Sequence, residues 1–234
     1  MTADKQAVRE RVWRALRQSG AARFPGAEGR IPNFVGAEAA ARRLASLDAW
    51  REAEVIKSNP DSPQLPVRTA ALGDGKRVYM AVPRLRHEKP FILLDPERID
   101  GPPRKAASIK GAVTAGVHVA LADVPHVDLV VCGTVAVNRR GVRIGKGGGY
   151  SDIEFALLTE SGAVDADTVV ATTVHPVQVL DEDLPETSHD FRVDLVVTPD
   201  GIIRCRRAHR PPGIIASHLE PDMAAAIPVL AGRT

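Results

Sequence analysis

The sequence is poor in cysteine and aromatics, has no long apolar run and carries no excess of one charge. Cys132 and Cys205 are the only cysteines in 234 residues and stand far apart. That excludes a disulfide framework and a zinc ribbon, and it suits a reducing compartment. Aromatic residues make up 4% of the chain, too few to interleave with its basic clusters as a stacking platform for single-stranded nucleic acid. Thirty-one basic residues face 29 acidic ones, a net charge of +2, which argues against a dedicated nucleic-acid binder. No apolar stretch approaches the ~20 residues needed to span a bilayer. Met1 to Gln6 lead into a charged amphipathic stretch rather than a signal peptide. The reading is a cytoplasmic protein with no membrane partner. His118, His126, His175 and His189 lack the close spacing of zinc ligands.

What is present is an ordinary globular composition, 44% hydrophobic and 26% charged. Apolar periodicity predicts helices over 4–19, where Val8, Val12, Ala15 and Leu16 share a face, and over 36–50. A shorter helix is expected from Gln64 to Leu72, with Pro66 in its first turn where a missing N–H costs little. Strands are expected at Glu54–Lys57, Val78–Val82, Phe91–Leu94, Val127–Val131, Thr168–Thr173 and Val193–Val197, with Ile202–Cys205 as a hairpin partner. Residues 96–112 read either as a surface excursion or as a short helix. Strands alternating with helices predict a three-layer α/β fold, Rossmann-type, with a mostly parallel central sheet and helices on both faces. The chain reads as one domain over 1–234, with the helical segment 1–50 packing on it.

The most informative stretch is Arg143-Ile144-Gly145-Lys146-Gly147-Gly148-Gly149-Tyr150-Ser151-Asp152. It joins a strand-like segment to a helix predicted over Tyr150–Thr159. Consecutive residues without Cβ admit positive φ and let backbone N–H groups approach a ligand. The helix N-terminus adds unpaired N–H groups and the positive end of its dipole. Arg143 and Lys146 supply cations, and Asp152 in the first helical turn is placed for a Mg²⁺ ion on phosphate oxygens. The run lacks the Gly-Lys-Ser/Thr ending of a P-loop and the spacing of a dinucleotide fingerprint. On residues alone it is either an anion nest or a flexible loop followed by a helix-start acid.

This run resembles the signature of the 5-formyltetrahydrofolate cyclo-ligase (5,10-methenyltetrahydrofolate synthetase) family, Arg-x-Gly-x-Gly-Gly-Gly-Tyr-Tyr-Asp-Arg. Other matches fall in the same order: Lys5 and Arg9, Trp50-x-x-Ala53-x-Val55 loosely, Gly75-Lys76, His189-Asp190 and Val193-Asp194-Leu195-Val196-Val197-Thr198. The resemblance implies a cyclo-ligase-like fold, ATP and Mg²⁺ as cofactors and a folate as small-molecule substrate. Position by position, it places Lys5, Arg9, Arg143, Gly145, Lys146, Gly147, Gly148, Gly149, Tyr150 and Asp152 at ATP. Asp152 and Asp190 would hold the metal, Asp61 and Tyr150 would meet the substrate, and Arg143 and Lys146 would be catalytic. In the family, ATP activates the formyl oxygen of 5-formyltetrahydrofolate and ring closure gives 5,10-methenyltetrahydrofolate.

The chain departs from the pattern at Ser151, where the family has a second Tyr, at Ile153, where it has Arg, and at Asp61, where many relatives carry Glu. The stretch Arg30-Ile31-Pro32-Asn33-Phe34 is also foreign to it. The ATP half of the signature is thus kept more fully than the folate half. An ATP-binding relative with another small substrate, or a binding role without catalysis, is the alternative. The basic cluster Arg84, Arg86, His87, Lys89, Arg104, Lys105 and Lys110 reads as a solvated face, with attraction for ATP or a folate glutamate tail as its functional alternative. Arg204, Arg206, Arg207, His209 and Arg210 read as a contact for RNA or a partner chain, without the interleaved aromatics that RNA would favour.

Overall fold

A computed structural model describes residues 2–206 and 209–232, so Arg207 of the second basic cluster lies outside the described residues. The helices are α1 (Thr2–Gln18), α2 (Ala37–Ala45), α3 (Asp48–Arg51), α4 (Leu65–Gly73), α5 (Pro103–Ala106), α6 (Ile109–Ala115), α7 (Tyr150–Glu160) and α8 (Pro221–Ala226). The strands are β1 (Val55–Ser58), β2 (Arg77–Ala81), β3 (Phe91–Leu94), β4 (Val117–Val119), β5 (Leu129–Cys132), β6 (Ala136–Asn138), β7 (Arg143–Ile144), β8 (Val169–Thr173), β9 (Val179–Leu180), β10 (Leu195–Val197) and β11 (Ile202–Arg204).

The main sheet has eight strands in the order β11-β10-β8-β5-β1-β2-β3-β4. The pairs β10–β8, β8–β5, β5–β1 and β1–β2 are parallel, and the outer pairs are antiparallel. This is the mostly parallel α/β sheet expected from the sequence. Side chains alternate across it. Ile56, Val78, Leu129, Val131 and Ala171 face α2, α3, α4, α5 and α6 through Leu44, Trp50, Val67, Ala71, Ala106 and Ala112. Val55, Tyr79, Val130, Cys132, Val170 and Val196 face α7 and the C-terminal residues Ile227 and Leu230. Both faces are buried, as a parallel sheet requires.

The structure differs from the sequence reading in four places. The helix expected over 36–50 is two helices, because Leu47 adopts an extended backbone (φ −85°, ψ 153°) between α2 and α3. Residues 96–112 hold the start of α6 and all of α5, and the following edge strand β4 was not expected. A second sheet, β7-β6-β9, is built from strands of two or three residues, too short to show periodicity. The face of α1 carrying Val8, Val12, Trp13 and Leu16 packs on this small sheet, against Ala136, Val142 and Ile144. Finally, residues 211–230, which show no clear period, cross the α7 face of the main sheet and anchor there through Ile227 and Leu230.

Candidate functional site

In open parallel sheets the crevice beyond the carboxyl ends of the strands is where ligands collect. Here β1 runs out into Asn59-Pro60-Asp61, β5 into Gly133, and the loop 145–149 enters α7 beside them. Gly149 (φ 67°) is the N-cap of α7 and Gly147 has φ 105°, left-handed conformations that favour glycine. A Cβ on Gly147 would stand 3.3 Å from Arg9 Cζ, so the absent side chain is what admits the guanidinium. Tyr150 opens α7 with its ring against Gly148, where a Cβ would lie 3.2 Å from Cδ2.

Two cations come to the site from α1, which packs on the small sheet. Arg9 donates through Nε to the Gly145 carbonyl at 2.7 Å. Lys5 donates to Asp190 Oδ2 at 2.5 Å. The same oxygen accepts from Thr187 N at 2.5 Å and Thr187 Oγ1 at 2.8 Å. Burial pushes the Asp190 pKa up, but Lys5 and the Thr187 donors outweigh it and hold the carboxyl below the ordinary aspartate value. Burial lowers the Arg9 pKa, and the charge of Asp190 opposes that shift.

Arg143 comes from β7 and is fully enclosed. Its guanidinium lies 3.9 Å from the centroid of the Phe191 ring, which itself stacks on Phe155. It donates through Nη2 to Asp152 Oδ1 at 2.5 Å. Burial lowers the Arg143 pKa, but the acids around it, led by Asp152, outweigh burial and leave it raised. Asp152 moves up, because burial and the nearby Asp190 exceed the pull of Arg143. Asp152 and Asp190 are therefore electrical neighbours. Each is tethered to a cation through one oxygen, and the other oxygen of each accepts no hydrogen bond from the described residues.

The other side of the loop is organised around Asp61. Lys146 Nζ stands 3.9 Å from Asp61 Oδ1. Burial raises the Asp61 pKa, opposed by Lys146, Arg68 and Lys57. Buried Arg68 fixes this turn by donating to the carbonyls of Asn59 at 2.5 Å, Asp61 at 3.2 Å and Pro60 at 3.2 Å. Burial brings the Arg68 pKa down to about 10, with Asp61 opposing. Gly133 lets the carboxylate approach the end of β5: a Cβ there would lie 3.0 Å from Asp61 Oδ2 and from Ile31. Ile31, from the stretch Arg30–Phe34 that is foreign to the family signature, thus meets Asp61 at Gly133.

The predicted residues therefore form two groups about one loop. Lys5, Arg9, Arg143, Asp152 and Asp190 are linked on one side, with Gly145, Gly147, Gly148, Gly149 and Tyr150 forming the loop. Lys146 reaches to the other side, toward Asp61. Sequence reading missed Lys57, Glu154, Asn59, Arg68, Gly133 and Thr187. Lys57 on β1 and Glu154 on α7 form a buried pair at 2.5 Å, and Asn59 Nδ2 donates to the same carboxylate at 3.2 Å. Asn59 Nδ2 also reaches Ser151 Oγ at 3.5 Å. A charge at each of two otherwise apolar positions was the signal available. In the second basic cluster, Arg210 is committed to Asp194 at 2.7 Å and to the Asp165 carbonyl at 2.6 Å. Among the described residues no helix is long and apolar enough to cross a membrane.

The chain is similar to known proteins along most of its length. A mouse (Mus musculus) methenyltetrahydrofolate synthase domain-containing protein is 41% identical over 97% of this chain and 62% of its own length. The human (Homo sapiens) protein of that name is 37% identical over 97% of this chain and 60% of its own. The chain thus spans about three fifths of the length of these relatives. The NMR structure of 5,10-methenyltetrahydrofolate synthetase from Aquifex aeolicus superposes with a TM-score of 0.54 at 20% identity, covering 86% of this chain and 93% of that one, a likeness of fold. The profile of the 5-formyltetrahydrofolate cyclo-ligase family matches residues 1–199, most of the sheet and all of the loop site, and the chain belongs to that family.

Proposed function

We propose that this protein is an ATP- and Mg²⁺-dependent cyclo-ligase that converts 5-formyltetrahydrofolate to 5,10-methenyltetrahydrofolate. The observation that carries the reading is that Arg9 binds the carbonyl of Gly145 on a glycine loop ending at the N-terminus of α7, while Arg143 holds Asp152 in the first turn of that helix and Lys5 holds Asp190, whose charge Asp152 feels. Phosphoryl transfer depends on positioning and on neutralising charge spread over phosphate oxygens. A backbone nest with three cations from α1 and β7 suits that task. ATP, when bound, supplies the phosphoryl group that turns the formyl oxygen into a leaving group. In this proposal Lys5, Arg9, Gly145, Gly147, Gly148 and Gly149 hold the phosphates, and Arg143 fixes Asp152. The second oxygens of Asp152 and Asp190 would take Mg²⁺, an ion commonly held by one or two carboxylates plus phosphate oxygens. Lys146 and Asp61 face the acceptor, with Tyr150 at the junction. Folate and the methenyl product are supported by the family and by the relatives' names.

The test is a spectrophotometric assay for methenyltetrahydrofolate on mixing the protein with 5-formyltetrahydrofolate, ATP and Mg²⁺. An absorbance rise that needs all three and is lost in Lys5→Met is the expected result. No rise in protein shown to bind ATP would overturn the folate step. It would favour a second reading, an ATP-using relative with another small acceptor, to which Ile31 beside Asp61 and Ser151 beside Asn59 lend support.

A further inference from the structure

The C-terminal segment lies beyond the residues matched by the family profile, yet it touches the glycine loop. Met223 Cε lies 3.8 Å from where a Cβ on Gly149 would stand. His218 Nδ1 is 2.8 Å from His189 Nδ1, next to Asp190. Ile214 N donates to Glu160 at 2.8 Å, near the far end of α7. Ile227 and Leu230 anchor the segment in the core of the sheet. Between it and α7 lies a half-open cavity of about 90 Å³. Ile153, Ala156, Ile214, Leu219 and Met223 give it an apolar lining, and Gly149, Asp152, His218 and Glu220 line it too.

We infer that this slot receives the purine base of the nucleotide whose phosphates the loop holds, so that the C-terminal segment completes the nucleotide site. The slot is too small for a whole nucleotide, since whole-ligand sites run to about 300 Å³ or more. Apolar walls take ring faces by excluding water. The lining offers one acceptor, Glu220, and one imidazole, His218, for the nitrogen edge of a purine. It also includes Gly149, where the phosphates would begin. This inference rests on the ATP reading above.

Titration calorimetry with ATP and with inorganic tripolyphosphate separates the two. Wild-type protein is expected to bind ATP about tenfold more tightly than tripolyphosphate, the order of gain from burying part of one ring. Met223→Trp, which fills the slot, should lower ATP affinity about tenfold and leave tripolyphosphate unchanged. Equal wild-type affinities for the two ligands would overturn the base slot while leaving the phosphate site standing. Failure of both to bind the wild type would overturn the phosphate site and with it the slot. Should the variant lose both ligands, photolabelling of wild-type protein with 8-azido-ATP decides. Label on peptides spanning 150–160 or 213–223 supports the inference, and label elsewhere refutes it.

Discussion

Lys57 Nζ lies 2.5 Å from the Glu154 carboxylate, with both side chains almost wholly withdrawn from water. The pair fixes α7 over β1, and with it the direction in which the glycine loop and Asp152 point. A buried ion pair gains little net stability, but stripping one partner leaves an uncompensated charge costing about 3 to 5 kcal/mol. Lys57→Met should therefore cost about that much in urea unfolding. The double variant Lys57→Met/Glu154→Met should recover most of the loss. A single-variant cost below about 1 kcal/mol, the level of an exposed pair, would mean that water reaches the pair.

The glycines of the loop make unequal predictions. Gly147 has φ 105° and its missing Cβ faces Arg9 at 3.3 Å, whereas Gly148 has no positive φ and faces only the movable ring of Tyr150. Gly147→Ala is expected to weaken ATP binding by about tenfold, from a backbone penalty of roughly 1 to 2 kcal/mol where the phosphates would sit. Gly148→Ala should do markedly less. Calorimetric titration of both variants is the check. Equal effects would show that loop conformation is not what the nucleotide selects.

Much of this was legible beforehand. The parallel strands are apolar runs between breakers, and the glycine run sits where strand gives way to helix, so β1, β2, β5, β8 and α7 fall near their expected places. The tethers of the site were not readable from spacing, because Lys5 and Asp190 are 185 residues apart and meet only once α1 has docked on the small sheet. That sheet escaped notice because its strands have two or three residues. The C-terminal segment escaped because Pro211, Pro212, Pro221 and Pro228 interrupt any period. Lys146, read with the ATP cations, also stands 3.9 Å from Asp61 Oδ1, a contact across 85 residues that spacing does not show.

Asp190 ties folding to pH. Its folded pKa lies below the ordinary value because Lys5 and Thr187 outweigh burial. A depressed acid contributes stability that is fully present above its unfolded pKa, about 4, and is lost as pH falls through the lower folded value. Wild type should therefore melt above Asp190→Asn at neutral pH, with the gap closing below about pH 4. Thermal melts of both proteins from neutral to acid pH make the comparison. A constant gap down to the lowest pH reached would show that the Lys5 contact does not hold Asp190 ionised.

Asp61 has the opposite sign, and that separates its role from a structural one. Burial raises its pKa despite Lys146, Arg68 and Lys57 nearby. Between the unfolded and the higher folded pKa the native state binds more protons, so stability falls as pH rises through that window. Above that window the group therefore costs stability, as a group kept for chemistry can. Asp61→Asn keeps the shape and removes the charge. It should melt no lower than wild type at neutral pH, and its advantage should shrink toward pH 4. The same variant should lose at least about tenfold in kcat/KM for the folate reaction, the order expected when one polar contact to a reacting substrate is removed. ATP affinity should stay within about twofold, because Asp61 stands on the Lys146 side of the loop, away from Lys5 and Arg9. A destabilised variant with unchanged kcat/KM would make Asp61 a prop for the turn that Arg68 grips, and would move the acceptor site elsewhere.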